Sequence, residues 1–239
     1  MPFGVDEAGK GPALGSMFAA AVSVADPDDL PDGIRDSKRL SPERREELAA
    51  TLRADDRVAV GVAEITPARI DDPETDMNSL AVTAHAEAIE AAVADSEQSG
   101  DASEPLSGLC DACDTDADRF ARRVADACSL EAIAVDARHG ADDDSPLVGA
   151  ASIIAKVERD THIAALADEY GEIGSGYPGD ATTRAFLESY VDEHRDLPPF
   201  ARESWSTCEK TLAAAEQTGL EQFYDIRRSR SNAGSEATE

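Results

Sequence analysis

Positive charge is scarce in this chain. Its 239 residues include 22 lysines and arginines against 50 aspartates and glutamates, which gives a formal net charge of −28, and only four of the basic residues are lysines. This composition excludes a broadly basic surface that would hold nucleic-acid phosphates by charge alone. The acids are spread over the whole length rather than gathered in one tail. In molar salt the Debye length falls to about 3 Å, which screens the repulsion among such acids. We therefore expect adaptation to high salt.

Two further signals are missing. There is no apolar run of transmembrane length, and no leader in which basic residues precede an apolar stretch. We expect a cytoplasmic monomer that makes no contact with membranes. Cys110 and Cys113 have the spacing of a zinc or redox pair, but no second close pair of Cys or His completes such a site. We interpret the four cysteines as structural thiols, with Cys110 buried in a strand.

Apolar segments bounded by turn residues predict an α/β protein. Five strands are predicted, at residues 2–5, 16–24, 58–65, 106–111 and 131–136. A helix is predicted to begin at Pro42, with Ser41 as its N-cap. Further helices are predicted at residues 78–95, 117–128, 147–168, 181–194 and 207–220, and a surface loop at 96–105.

The first strand leads into two adjacent acids and a glycine loop. Asp6 and Glu7 are hard oxygen ligands suited to Mg²⁺ or Mn²⁺, and Gly9-Lys10-Gly11 lets backbone N–H groups approach a phosphate or a sugar. Together they indicate phosphodiester chemistry. Residues 4–10 also fit the first seven positions of a nucleotide-binding P-loop. The eighth position is Gly rather than Ser or Thr, and Pro12 interrupts the helix that must follow, so we disfavour a P-loop triphosphatase.

Two other predicted strands end on an acid, at Asp111 and Asp136. Strand ends from neighbouring strands meet at one edge of a sheet, so these two acids could converge with Asp6 and Glu7. Four gathered carboxylates repel one another unless divalent cations hold them, which is the arrangement of two-metal phosphoryl transfer. The alternative is that Asp111 and Asp136 are ordinary surface acids in a strongly acidic chain.

Five segments, in order over residues 3–195, resemble the signatures of the ribonuclease HII family in its archaeal form. They are Gly4–Pro12, Asp36–Leu40, Asp111–Asp114 with Arg119-Phe120, Ala150–Asp160, and Gly174–Pro178 with Asp180. Three features depart from the family pattern. Lys10 stands where Arg is usual, Gly149 stands where Ser is usual, and residues 140–146 lengthen the turn after Asp136 with three acids. We interpret those three acids as solvated.

The resemblance implies an RNase H-like mixed five-stranded sheet flanked by helices, with a C-terminal helical extension. It implies a catalytic domain at residues 1–195 and the extension at 196–227. The composition of residues 228–239 predicts a disordered tail. The resemblance also implies cleavage of the RNA strand of RNA/DNA hybrids, and of duplex DNA 5′ to embedded ribonucleotides. Two Mg²⁺ or Mn²⁺ ions would be held by Asp6, Glu7, Asp111 and Asp136, with no histidine acting as base.

The resemblance further implies a set of substrate contacts. The glycine loop would read the ribose 2′-hydroxyl through backbone groups, Tyr177 would stack on the deoxyribose after the junction, and basic side chains would contact phosphates. These residues are Gly9, Lys10, Gly11, Lys38, Lys156, Arg159 and Tyr177.

Three matters stay open at the level of sequence. The chain could be a non-catalytic nucleic-acid-binding protein on the same fold. It could be a ribonuclease HIII-type enzyme, which would carry a substrate-binding domain ahead of the motif at residue 4. It could also bind a sliding clamp, because residues 221–224 (Glu-Gln-Phe-Tyr) contain paired aromatics, although no apolar anchor follows them.

Overall fold

The computed structural model describes residues 1–34, 40–97, 106–130 and 132–217. Its strands are β1 (Pro2–Ala8), β2 (Met17–Val24), β3 (Val58–Ile65), β4 (Leu106–Asp111) and β5 (Ile133–Arg138). Its helices are α1 (Pro42–Ala54), α2 (Pro67–Ile70), α3 (Met77–Glu97), α4 (Ala117–Ala127), α5 (Ala141–Asp144), α6 (Pro146–Tyr170) and α7 (Ala181–His194), with α8 at residues 206–217. None of the helices in these ranges is long and apolar enough to cross a membrane.

The strands form one mixed sheet in the order β3-β2-β1-β4-β5. β2 is antiparallel to both β1 and β3, whereas β1 with β4 and β4 with β5 are parallel. The predicted α/β class and mixed five-stranded sheet are confirmed. Two predicted boundaries are wrong in a way that affects the site. β1 runs on to Ala8 instead of ending at residue 5, and β5 covers Ile133–Arg138 instead of 131–136.

Strand register shows which helix covers each face of the sheet. Gly4 pairs with Val22 and Gly61 pairs with Ala21, so the two glycines open on opposite faces. A Cβ at Gly4 would lie 2.3 Å from backbone atoms of α6, and a Cβ at Gly61 would lie 2.1 Å from a backbone oxygen of α3. α6 and α3 therefore lie directly on opposite faces, and only glycine permits this close approach.

A buried apolar core fills the face of the sheet that carries α6. Helices α1 and α6 close over β2 and the start of β3 there, with Ile34 beside them. α1 begins as predicted, because the Ser41 hydroxyl accepts a hydrogen bond from the backbone N–H of Arg44. The core residues are Ala20, Val22, Val24, Ile34, Leu48, Ala49, Leu52, Val58, Leu147, Ala150, Ala151, Ile153, Ile154 and Ala155.

The chain divides into two compact units. The first consists of Met1–Gly11 and Gly15–Ala165 and contains the sheet, and the second consists of Pro12–Leu14 and Leu166–Glu239. Within the second unit, the backbone N–H groups of Ala13 and Leu14 donate to the carbonyl of Gly176 at 2.8 and 3.2 Å. The domain boundaries at residues 195 and 227 stay predictions.

Candidate active site

Asp6 and Glu7 are neighbours in β1, and the pleat of the strand turns their side chains to opposite faces of the sheet. Asp6 lies on the same face as Gly4, which is covered by α6, whereas Glu7 lies on the face covered by α3. Asp6 is buried, with 6% of the residue exposed, and Glu7 is largely buried, with 11% of its side chain exposed. The two acids of the first motif therefore meet different partners.

Asp6 is held by side chains of α6. The fully buried Ser152 hydrogen-bonds to Asp6, and Lys156, one turn later, donates from Nζ to Ser152 Oγ at 2.5 Å. Asp6 Oδ1 also accepts from the backbone N–H of Glu7 at 2.8 Å. Burial, followed by the Glu7 and Asp111 carboxylates, raises the pKa of Asp6 to about 8, although Ser152 and Lys156 oppose the shift. A bound divalent cation would reverse this preference for the neutral form.

β4 ends on Asp111, as predicted, and this carboxylate caps the short helix α5. The backbone N–H of Ala141 donates to Asp111 Oδ1 at 2.8 Å. Burial raises the pKa of Asp111, the Ala141 N–H group opposes the rise, and the carboxylates of Asp142 and Glu7 add to it. Asp142 is itself only 6% exposed. Asp142 is thus a buried acid close enough to Asp111 to raise its pKa.

Asp136 does not lie at the end of its strand, so that part of the sequence interpretation is wrong. Asp111 pairs with Arg138, whereas Asp136 pairs with Leu109, one side-chain repeat of about 7 Å earlier on the same face. Asp136 is exposed. The strand continues for two residues beyond Asp136, to Arg138.

Asp142, assigned in the sequence analysis to a solvated acidic insertion, is buried where the fourth acid was expected. A signal for this was present in the sequence. Gly140, which has a φ of +67°, and the apolar Ala141 precede Asp142, and Pro146 follows four residues later. Glycine, a small apolar residue and a nearby proline are typical of a tight turn into a helix rather than of a solvated run.

Glu7 meets a histidine that the sequence analysis left without a role. His85 Nε2 in α3 lies 2.9 Å from Glu7 Oε2, and the fully buried ring stands edge-on to Phe120 with centroids 5.0 Å apart. Burial acts to raise the pKa of Glu7, but the hydrogen bond and charge of His85, together with Lys10, outweigh it and the net shift is downward. The sequence signal was a lone histidine inside an Ala-rich helix.

The glycine loop after β1 is shaped by Gly9. Its φ is +90°, and a Cβ there would lie 3.0 Å from the Ser16 carbonyl oxygen and 3.3 Å from Cγ of Arg159. The stem of Arg159 therefore lies against the loop, and residue 9 has to be glycine. Strand β2 follows the loop where a P-loop requires a helix, so the disfavoured P-loop interpretation is excluded.

Lys10 is engaged within the protein. Its Nζ donates to the carbonyl oxygen of Cys113 at 2.7 Å and to Asn78 Oδ1 at 2.9 Å. These bonds join the glycine loop to the segment after β4 and to the first turn of α3. In this geometry the lysine can fix the position of the glycine loop, and its expected phosphate contact stays a prediction.

The other predicted substrate residues fall into three groups. The first group lies on α6: Lys156 donates to Ser152, which is next to Asp6, and Arg159 Nη1 lies 3.4 Å from Asp160 Oδ1. Tyr177 belongs to the second unit and is the exposed large hydrophobic residue of the described chain, at 42%. Lys38 lies outside the described residues.

The donor set of the α6 face fits a hard divalent cation. Asp6, Asp111 and Asp142 offer only carboxylate oxygens, the ligands that Mg²⁺ and Mn²⁺ prefer. Burial and mutual repulsion raise the pKa of Asp6 and of Asp111, which marks a cluster short of positive charge. The negative charge of Glu7, near the C-terminal end of β1, adds to the rise in the pKa of Asp6 and of Asp111.

Comparison with known proteins shows which family the chain belongs to. The family model for ribonuclease HII matches residues 3–208. A ribonuclease HII of Haloarcula marismortui is 60% identical over 93% of this chain and all of its own length. The crystal structure of ribonuclease H2 from Pyrococcus horikoshii has a TM-score of 0.78 and 35% identity, and covers 90% of this chain and 98% of that one. Ribonuclease HII of Archaeoglobus fulgidus, solved in complex with PCNA, has a TM-score of 0.74 and 34% identity over 88% of this chain and 96% of that one. The protein is thus a ribonuclease and belongs to the ribonuclease HII family.

Proposed function

We propose that the protein is an endonuclease that cleaves the RNA strand of RNA/DNA hybrids and cuts duplex DNA 5′ to embedded ribonucleotides. The observation that carries the proposal is the buried Asp6, held by Ser152 on one face of the sheet and surrounded by further carboxylates. A purely binding protein on this fold would gain nothing from such a cluster, because like charges gathered in a buried place cost stability. The proposed setting is a salt-rich cytoplasm, with the protein acting as a monomer.

We propose Asp6, Glu7, Asp111 and Asp142 as the metal-binding acids, with Asp142 in place of Asp136. Two Mg²⁺ or Mn²⁺ ions bound there would supply an activated water and stabilise the leaving 3′ oxygen, which yields a 3′-hydroxyl and a 5′-phosphate. Ser152 fixes the orientation of the Asp6 carboxylate, and the N–H of Ala141 fixes that of Asp111. Such contacts orient ligands before an ion arrives.

The glycine loop is the proposed reader of the ribose. The 2′-hydroxyl both donates and accepts, so backbone N–H and C=O groups of Gly9 and Gly11 suffice to distinguish RNA from DNA. We expect Gly11→Ala to reduce cleavage at a single embedded ribonucleotide severely, because the methyl group blocks close approach. Arg159 and Lys38 are the proposed phosphate contacts, and Tyr177 is the proposed stacking platform.

The test uses three substrates of one sequence: an all-RNA/DNA hybrid, a DNA duplex with one ribonucleotide, and an all-DNA duplex. Each is incubated with the full chain in Mg²⁺ or Mn²⁺ over a range of salt concentrations, with chelator as a control. We expect cleavage of the first two only, with a 5′-phosphate on the downstream product and no cleavage in chelator. Cleavage of the all-DNA duplex, or cleavage undiminished by chelator, would contradict the proposal.

We also propose that the C-terminal segment docks on a sliding clamp, since the Archaeoglobus fulgidus relative was solved in complex with PCNA. Four residues near the C-terminus have the sequence spacing of one helix face: Gln217, Leu220, Phe223 and Tyr224. The apolar anchor is Leu220, which precedes the aromatic pair instead of following it. Gln217 is the last residue that the structure describes. We expect a variant with Phe223→Ala and Tyr224→Ala to lose binding to PCNA while Gln222→Ala keeps it. Both should cleave hybrid normally without PCNA, and equal binding by both would refute the docking site.

A further inference from the structure

Glu7 also belongs to a second group of side chains, whose chemistry differs from that of the acids around Asp6. One ligand atom each from Glu7, His85 and Cys113 lies within 4.8 Å of the other two. We propose that these three residues form a site for a thiophilic divalent cation of the Zn²⁺ class, and that filling this site withdraws Glu7 from the catalytic metal site. The second half of this statement rests on the proposed function; the first half does not.

The ligand types favour a different ion from the one proposed for catalysis. Thiolate and imidazole ligands select Zn²⁺ and related metals, whereas carboxylate-only sets suit Mg²⁺ and Mn²⁺. Three protein ligands with a water in the fourth position is a common zinc arrangement. Glu7 is the residue that the two sets share, and the pleat of β1 turns its side chain towards α3 while Asp6 faces α6.

The distances require only small movements. With metal–ligand bonds of about 2.0–2.3 Å, ligand atoms around a tetrahedral Zn²⁺ stand about 3.3–3.7 Å apart. His85 Nε2 and Glu7 Oε2 are now 2.9 Å apart, and the other pairs are within 4.8 Å. Side-chain shifts of a few tenths of an ångström up to about an ångström would therefore place all three atoms on one ion.

His85 is arranged to offer one nitrogen. The imidazole is fully buried and packs edge-on to Phe120, and its Nδ1 atom has no hydrogen-bond partner among the described residues. The ring is thus oriented by packing, with Nε2 directed at Glu7. When the ion takes Nε2, the proton that this nitrogen shares with Glu7 moves to Nδ1, so the imidazole binds in its neutral form.

Cys113 brings the thiol to the same carboxylate. The residue is half-buried two positions after the end of β4, and its side chain hydrogen-bonds to Glu7. When the ion binds, a sulfur–metal bond replaces the thiol proton, which passes to solvent. Burial and the Glu7 carboxylate raise the pKa of the Cys113 thiol to about 12. The Lys10 ammonium, held at the Cys113 carbonyl, opposes this rise and also repels the incoming cation.

The first experiment measures binding without substrate. The full chain, freed of metal in molar KCl, is titrated with Co²⁺ while the near-ultraviolet thiolate-to-cobalt absorption band is recorded, and Zn²⁺ is then added to displace the cobalt. We expect the band in the wild type and in Cys128→Ser, a control at another half-buried cysteine. Cys113→Ser should lose the band, and His85→Gln should weaken binding by about 100-fold. A missing band in the wild type, or an undiminished band in Cys113→Ser, overturns the site.

The second experiment measures the consequence for cleavage. Hybrid cleavage in Mg²⁺ is titrated with Zn²⁺ for the wild type, Cys113→Ser and Cys128→Ser. We expect the Zn²⁺ concentration for half inhibition to rise by about 100-fold in Cys113→Ser and to stay unchanged in Cys128→Ser. Equal inhibition of all three proteins would mean that Zn²⁺ acts at the other acids, which overturns the coupling through Glu7. Absence of cleavage in Mg²⁺ alone would count against the proposed function, and the cobalt band would still decide the site.

Discussion

Replacing Asp6 with Asn should abolish hybrid cleavage and, without divalent ions, should make the fold more stable. The amide keeps the oxygen that accepts the Glu7 N–H at 2.8 Å and remains within hydrogen-bond reach of Ser152. It removes a carboxyl group that burial, Glu7 and Asp111 hold in an unfavourable place. The variant therefore distinguishes the contribution of the Asp6 carboxylate to cleavage from its cost in folding free energy.

The size of the gain follows from the pKa of Asp6, which rises from 3.8 to about 8 on folding. Below the lower value the acid is protonated in both states and costs nothing. As the pH rises towards the upper value, the unfolded chain releases a proton that the folded chain keeps, so folding becomes less favourable, and the cost levels off above it. At pH 7 about three pKa units at 1.36 kcal/mol each set an upper limit of about 4 kcal/mol. We expect a measured gain of about 1–4 kcal/mol for Asp6→Asn.

Urea unfolding in molar KCl with chelator, followed by circular dichroism from about pH 5 to about pH 8, measures this gain. The stability difference between variant and wild type should widen as the pH rises. The matched control is Asp136→Asn, whose exposed carboxylate should change stability by no more than about 0.5 kcal/mol. Saturating Mn²⁺ should stabilise the wild type, by about 2.7 kcal/mol at 100 times its dissociation constant, and should have less effect on the variant. A variant that is no more stable than the wild type at any pH in chelator would refute the reasoning.

Three further outcomes are expected. Asp142→Asn should lower kcat/KM on hybrid substrate by about two orders of magnitude or more, whereas Asp136→Asn should change it by less than about twofold; the reverse ranking would restore Asp136 to the site. Lys10→Ala should cost about 1–3 kcal/mol of stability, because two hydrogen bonds of the ammonium are lost, and should leave the slope of log K against log salt unchanged. A slope reduced by about one would show instead that Lys10 contacts a phosphate. The net charge of −28 predicts that circular dichroism in dilute buffer shows loss of structure, and that activity rises with salt as the protein folds and then falls as phosphate contacts weaken.

Much of the fold could be predicted because its signals are local. Strands at 58–65 and 106–111 and the helix at 181–194 have the bounds that the sequence predicted, since apolar runs end there at turn residues or caps. β5 was misplaced because Arg138 continues the strand beyond Asp136, and strand pairing rather than composition decides that end. Asp142 was missed for a related reason: a run of three aspartates is usually solvated, and only the turn at Gly140 directs one of them inward.

The pairing of Glu7 with His85 was beyond sequence reasoning because it depends on the position of α3 over the sheet. An alternating strand assigns Asp6 and Glu7 to opposite faces, but the partner on each face comes from an element far away in the chain. Lys10 shows the same limit. Its charge indicated a phosphate contact, while the fold brings Asn78 and the Cys113 carbonyl within reach of its ammonium.

The division of Asp6 and Glu7 between the two faces of β1 has a consequence for how this enzyme can change over generations. Substitutions in α6 alter the surroundings of Asp6 through Ser152, and substitutions in α3 alter those of Glu7 through His85. Because α6 and α3 lie on opposite faces of the sheet, each helix determines the surroundings of only one of these two adjacent acids. A lineage can adjust one acid through one helix while the other acid keeps its partners, but it cannot insert or delete a residue within β1 without exchanging the two environments.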